Sequence, residues 1–428
     1  MDDLTTAQAS LQDRAKQVLP AGGFGNFDPS IFIARGEGGF VYDSDGHRYV
    51  DYLIGSGPML LGHGHPEVID AVQEQLAHGM TFFANNEQGL ALAEEIVRAV
   101  PCAEQLRYVS AGGEADMYAM RLARAYRGKT KILKFEGGYH GMCAEAQMSL
   151  APDRQVNFPQ AVPDSAGIPA SVEADMLIAP FNDVSFVESL VAEYEDELAA
   201  IIVEPLQRII LPAPGFLEAL REICDRTGIL LIFDEVVTGF RFAYEGAQGH
   251  YGVTPDLATF GKVIGGGFPL AAIVGPHEIM KHFDKSAVGQ EGFLMQLGTL
   301  SGNPVASVAG LKTLEILRRP GSYERLYDLG NQLMSMVADA LDHEGIAHRI
   351  VGHPTLFDVL FCDHDIADYR DVKKADAHKN ALFNKVLRQE GIFKSAGKIY
   401  PHLGLQDEHL DITQRALREA AKQVARQS

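Results

Sequence analysis

From about residue 87 onward, short apolar runs that stop at charge or glycine alternate with stretches whose apolar residues recur every three to four positions. The runs Leu106–Val109, Lys131–Phe135, Met176–Ala179, Ala199–Val203, Leu230–Phe233, Leu257–Phe260 and Ala271–Val274 predict strands. Gln88–Val100, Glu114–Tyr126, Phe186–Glu195 and Phe216–Asp225 predict helices between them. Continuously apolar strands separated by helices argue for an α/β fold, with a mostly parallel central sheet covered by helices on both faces.

The flanks read differently. Residues 1–20 predict an amphipathic helix with Leu11, Ala15, Val18 and Leu19 on one side. Ile31–Ala34, Gly39–Asp43 and Arg48–Leu53 predict an antiparallel meander with a turn at Asp45-Gly46. Pro66–Gly79 carries Val68, Val72 and Leu76 at helical spacing, whereas the proline-rich stretch Ala151–Ser171 has neither period and is expected to be a mobile loop near a site. A long helix is expected from Val305 to Arg318, and beyond it charged helices alternate with short strands such as Leu356–Leu360. This divides the chain into an arm and meander (1–65), a large α/β domain (66–304) and a small α+β domain (305–428).

Composition narrows the function. Of 428 residues, 46% are apolar and 22% charged, values of a globular chain able to bury a large core. A formal charge of −20 repels phosphate backbones and anionic membrane surfaces, so neither nucleic acid nor membrane is an expected partner. Cys102, Cys143, Cys224 and Cys362 form no CxxC pair, and the polar start MDDLTTAQAS is unlike a secretory signal. Both features suit reduced thiols in the cytoplasm.

The run Ile229–Phe233 ends abruptly in Asp234 and Glu235, and Lys262 closes the run Leu257–Phe260 just before Gly265-Gly266-Gly267. Ligands bind at the carboxyl ends of such strands. A lysine in an apolar, glycine-bordered turn can form a Schiff base, and an ionised aspartate can keep a pyridine nitrogen protonated. On spacing alone, a loop-capping Asp234 and a solvated Lys262 serve equally well. Ser110-Ala111-Gly112-Gly113-Glu114 reads as a strand, a glycine turn and a helix start, which is either a phosphate seat or an ordinary junction. Gly138-Tyr139-His140-Gly141 places an aromatic ring and an imidazole after a strand. His63, His65 and Glu67 do not share a helix face, so no metal is expected.

Together these pieces resemble the class III aminotransferases, pyridoxal-phosphate enzymes of fold type I, and within them the glutamate-1-semialdehyde aminomutase branch. The resemblance is carried by Tyr49-Val50-Asp51-Tyr52, Gly57–His63, Phe135–Gly141, Glu204-Pro205, Phe233–Arg241, Gly261-Lys262 and Gly298–Pro304, and covers nearly the whole chain. It implies Lys262 as the Schiff-base lysine and proton carrier, and Asp234 as the partner of the pyridine nitrogen. Val236 would lie under the ring and Tyr139 over it, with His140 beside it. Gly112 and Gly113 would bind phosphate through their amides, while Glu204 and Gln207 face the ring's hydroxyl side. The resemblance also implies a homodimer with its site at the interface, each phosphate site closed by Thr299 from the other subunit.

The departures concern substrate more than cofactor. Family members usually read Asn-Ser-Gly-Thr-Glu where this chain has Ser110–Glu114, so two hydroxyls are missing. A lost hydrogen bond to a charged group costs about 1.5–3 kcal/mol. The wild type is therefore expected to hold cofactor less tightly than a Gly113→Thr variant. The aminomutase branch carries a Ser-x-x-Arg near Phe24-Gly25-Asn26-Phe27 and a tryptophan at Ser56, and this chain has neither. Both changes argue against glutamate-1-semialdehyde. Phe24, Phe27, Phe82 and Phe83 offer a roomy apolar pocket or simply core, and Arg241 and Lys398 are candidate carboxylate partners. The expected activity is ping-pong transfer of an amino group from an amino acid or amine to a ketoacid or aldehyde. The alternatives are an intramolecular 2,1-aminomutase, supported by the Pro163–Gly167 loop, and a non-catalytic cofactor-binding protein.

Overall fold

A computed structural model describes residues 6–427, which divide into two compact units. The larger comprises Pro66–Tyr323 and His364–Lys374. The smaller joins the residues up to His65 to Glu324–Asp363 and to those from Ala375 onward. The units are thus not three consecutive segments, because the N-terminal meander shares its core with the C-terminal part. Val50 and Tyr52 are buried with Leu333, Phe357, Phe383, Ile392 and Leu417.

A seven-stranded sheet organises the larger unit: β1 (Gln105–Val109), β2 (Lys131–Phe135), β3 (Met176–Ala179), β4 (Leu198–Val203), β5 (Leu230–Asp234), β6 (Leu257–Phe260) and β7 (Ala271–Gly275). Its spatial order is β1-β7-β6-β5-β4-β2-β3. The pairs β2·β3, β2·β4, β4·β5 and β5·β6 are parallel. Strand β7 runs antiparallel to both β6 and β1. The reason is length: a parallel return needs a crossover of about a dozen residues or more. The link from β6 to β7 is only the ten residues 261–270, with one short helical turn at Lys262–Gly265 and no crossover helix. All six residues of β4 are buried. Successive strand side chains point to opposite faces, so both faces of the sheet are covered. Helix Gly112–Arg127 contributes Ala115, Ala119, Met120 and Ala123 to one of these cores, against Ile202, Ile232 and Ile273.

In the smaller unit, Ile33–Glu37, Phe40–Asp43 and Arg48–Asp51 form the antiparallel meander, and Ile392–Phe393 adds in parallel to its last strand. The first helix spans Ala7–Val18, and the first five residues of the expected 1–20 segment lie outside the described residues. Ala15 is buried, but Val18 is 78% exposed, so the expected apolar stripe narrows to part of its length. Residues 151–169 carry no helix or strand. No helix among the described residues is long and apolar enough to cross a membrane.

Candidate functional site

Asp234 is the last residue of β5 and is almost fully buried. Its Oδ1 accepts the Val236 N–H at 3.1 Å, and its Oδ2 lies 2.8 Å from His140 Nδ1. His140 is itself buried in the turn that follows β2. One residue earlier, the Tyr139 N–H donates to Glu204 Oε2 at 2.8 Å. Gln207 is anchored by donating from Nε2 to the Glu136 carbonyl at 2.9 Å. The Tyr139 ring remains 36% exposed, with the Arg208 guanidinium 5.1 Å from its centroid. Glu235, beside Asp234, is turned into the protein. It accepts the Thr238 hydroxyl at 3.0 Å and Gln248 Nε2 at 2.9 Å, which fixes the turn after β5.

The glycine turn after β1 becomes the first turn of helix Gly112–Arg127. Its N-cap is Ala111, which has no side-chain oxygen and so makes no side-chain cap to the first-turn N–H groups. Glu114 instead accepts the Ser110 N–H at 2.9 Å. The turn is closely packed. A Cβ on Gly112 would lie 2.6 Å from Val236 Cγ1. A Cβ on Gly113 would lie 2.8 Å from Gly141 Cα, and one on Gly141 would lie 2.3 Å from Gly113 Cα. The expected gain from Gly113→Thr therefore has a cost to set against it, since a Cβ there requires the facing backbone at Gly141 to shift.

Lys262 begins the turn after β6 with φ 49°, a left-handed conformation that costs a non-glycine residue roughly 1–2 kcal/mol. Such strain is typical of functional positions. Gly261, just before it, packs against Val236 and Gly112, with 3.2 Å and 3.7 Å to the position a Cβ would take. The turn carrying the lysine therefore adjoins both the helix start and the residue following Asp234.

Sequence reasoning missed Asp116. It lies inside a helix with no flanking turn or apolar run to mark it, yet it is buried and accepts the Thr259 hydroxyl at 2.6 Å. One ligating atom from each of Asp116, His140 and Asp234 lies within 4.8 Å of the others. The aspartate at 116 differs from an ordinary helix polar residue only by its buried register on the α/β interface.

The remaining candidates disperse. Thr299 is exposed, and its carbonyl accepts the Thr81 hydroxyl at 3.4 Å. Around these two residues stand Phe82, Phe83, Leu297 and Leu300, all exposed, so Phe82 and Phe83 are not core. Arg241 is completely buried in the turn after β5. Four candidates belong to the smaller unit. Phe24 is exposed, Phe27 packs on Phe393 at 5.1 Å, Ser56 is exposed at φ 65°, and Lys398 Nζ lies 5.9 Å from the Tyr400 ring. His63 is bonded to Asp51 at 2.7 Å, while Glu67 pairs with Arg319.

The sequence profile of the class-III aminotransferases matches residues 25–421. A glutamate-1-semialdehyde 2,1-aminomutase from Roseiflexus castenholzii is 44% identical over 369 residues, 85% of this chain and 82% of that protein. The crystal structure of an omega-transaminase from Sphaerobacter thermophilus superposes with a TM-score of 0.92 at 35% identity, covering 99% of each chain. A transaminase with PLP bound superposes with a TM-score of 0.88 at 28% identity, covering 98% of each. The residues fit that cofactor. The uncapped helix start suits a phosphate, the fixed Asp234 carboxylate suits a ring nitrogen, and the half-buried Lys262 suits an aldehyde.

Proposed function

From a chain that belongs to the class-III aminotransferases and so moves amino groups with pyridoxal phosphate, we propose a site in which Lys262 holds the cofactor and Asp234 faces its ring nitrogen. When bound, the cofactor supplies a carbonyl carbon that condenses with amines and a ring that accepts an electron pair. The chain does the rest. Asp234, oriented by His140 and the Val236 amide, keeps the ring nitrogen protonated. Val236 and Tyr139 would cover the two ring faces, and the Gly112 and Gly113 amides would hold the phosphate. Glu204 and Gln207 would stand toward the ring hydroxyl. Lys262 Nζ would hold the cofactor's aldehyde and, when free, would serve as the base that carries the donor's α-proton.

The observation that carries this reading is the buried Asp234–His140 contact at 2.8 Å at the end of β5, beside the turn that bears Lys262. The donor is an amino acid or amine, and the acceptor a ketoacid or aldehyde. The missing arginine around Phe24–Phe27 and Ser56 in place of tryptophan turn the site away from glutamate-1-semialdehyde. Arg241, being completely buried, is a poor carboxylate anchor. Four free cysteines suit the reducing cytoplasm as its location. The exposed apolar set around Thr299 supports a homodimer in which Thr299 closes the partner's phosphate site.

The test is a screen of half-reactions. The amine-loaded enzyme is mixed with a panel of ketoacids and aldehydes while the cofactor's absorbance is followed. Recovery of the original spectrum by an external acceptor is expected. A second reading, the intramolecular aminomutase, is favoured by the 44% identity to such an enzyme. It would be indicated by turnover of an amino aldehyde with no external acceptor able to restore the spectrum.

A further inference from the structure

Helix Gly112–Arg127 delivers a second acid to the first. Asp116 lies on the buried side of that helix, and its Oδ1 accepts the Thr259 hydroxyl of β6 at 2.6 Å. Its other neighbours are Asp234 at the end of β5 and His140 from the turn after β2, with ligating atoms of all three inside 4.8 Å. Glu204, past the end of β4, adds a negative charge felt at Asp116, and Asp116 is felt in turn at Tyr139 and Cys143. Two ionised carboxylates here would share one imidazole, and like charges this close in the interior retain a proton between them. Burial, followed by the charge of Asp234, pushes the Asp116 carboxyl well above the usual carboxylate range.

We propose that Asp116 is a positioning residue, a neutral carboxylic acid whose proton is held against the Asp234 carboxylate and keeps that carboxylate charged and aimed at the cofactor's ring nitrogen. The proposal rests on the reading of Asp234 given above. Asp234 then receives the Val236 amide on Oδ1, His140 on Oδ2, and the acid proton of Asp116. Donors to a carboxylate favour its charged form, so the shared proton of the ring nitrogen stays on nitrogen and the ring remains an electron sink. Thr259 fixes the rotation of Asp116 by occupying Oδ1, which leaves Oδ2 to carry the proton.

The sign of the effect on folding is determinate. An acid held protonated in the native state but ionised when unfolded costs stability as pH rises above its unfolded value near 4, up to its native value. The cofactor-free chain is unfolded in urea between about pH 5 and about pH 8, comparing wild type with Asp116→Asn, whose amide keeps a donor and cannot ionise. The ratio of the two unfolding constants is expected to change by about tenfold or more across that window, with wild type losing stability relative to the variant. The loaded enzyme supplies the second measurement, the pH at which bound cofactor absorbance titrates. Asp116→Asn is expected to leave that midpoint near wild type, while Asp116→Ala shifts it by about one pH unit and weakens cofactor binding by about tenfold. Parallel pH profiles for wild type and Asp116→Asn, or Asn and Ala variants that titrate alike, would overturn the proposal. So would stabilisation of the cofactor-free chain by zinc alone, lost in Asp116→Asn, which would make the three groups a metal site. A wild type that binds no pyridoxal phosphate would sink the reading of Asp234 instead, and the cofactor-free comparison still decides whether the proton is shared.

Discussion

Lys262 is held at φ 49° in the turn that leaves β6, where glycine would be at ease and lysine is not. The turn that carries this strain packs at Gly261 against Val236 and Gly112, and the strain implies a trade between folding and chemistry. Lys262→Gly is expected to raise the stability of the cofactor-free protein by about 1 kcal/mol. The same change should lower turnover by about a thousandfold or more. Equal stability of the two proteins in urea would contradict the strain argument. Ala111 offers the opposite case, a gain without a loss. Its backbone, φ −143° and ψ 150°, already has N-cap geometry, and only the side-chain oxygen is missing. Ala111→Ser should stabilise the cofactor-free chain by about 1 kcal/mol, read from its denaturation midpoint. At this scale Asp234 and Lys262 were legible because each ends an apolar run. Asp116 was not, since a polar residue inside a helix looks the same in sequence whether it faces water or a second acid.

At the scale of elements, β2, β3 and β6 appear with the bounds their apolar runs predict, and β5 extends by the one residue that matters, Asp234. Those strands are buried on both faces, so hydrophobicity alone marks them. What hydrophobicity does not mark is direction: β7 is as apolar as its neighbours yet runs against them. The turn after β2 shows another hidden dependence. Lys134, fully buried on β2, donates to the carbonyls of Ala146 at 2.9 Å and Met148 at 2.6 Å. Lys134→Met leaves both carbonyls unpaired and should destabilise by about 2 kcal/mol or more. Burial also pushes the Lys134 ammonium down to about 8. An unfolded lysine keeps its proton to about 10.4, so between these values the unfolded chain binds more protons, and stability rises with pH. The variant should lack that rise, which a urea titration at several alkaline pH values would show.

For the whole molecule, the two units have separate cores built from non-adjacent segments, an arrangement no local pattern announces. The smaller unit carries its own acid sensitivity. His402 is fully buried, with Nε2 3.0 Å from the Asp51 carbonyl, and burial lowers it to about 4. An unfolded histidine takes up its proton near 6.5, so stability should fall as pH drops from that value toward 4, and His402→Gln should flatten the fall in a thermal melt series. The proposed homodimer would use the larger unit's exposed apolar set, where Phe83 is 70% and Leu297 64% exposed. Charging both, as Phe83→Glu with Leu297→Glu, is expected to give monomers by light scattering with cofactor affinity lowered by about tenfold, because the proposed partner threonine is then withdrawn.

The contact between Gly113 and Gly141 bears on how this site can evolve or be re-engineered. Each glycine occupies the space a side chain on the other would need. A side chain at either position requires the facing turn to shift, so a threonine copied from relatives into position 113 has to move the backbone at Gly141 before it can grip phosphate. The unit to exchange in re-engineering is the pair of facing turns, so that the shift one side chain demands is met by the other turn.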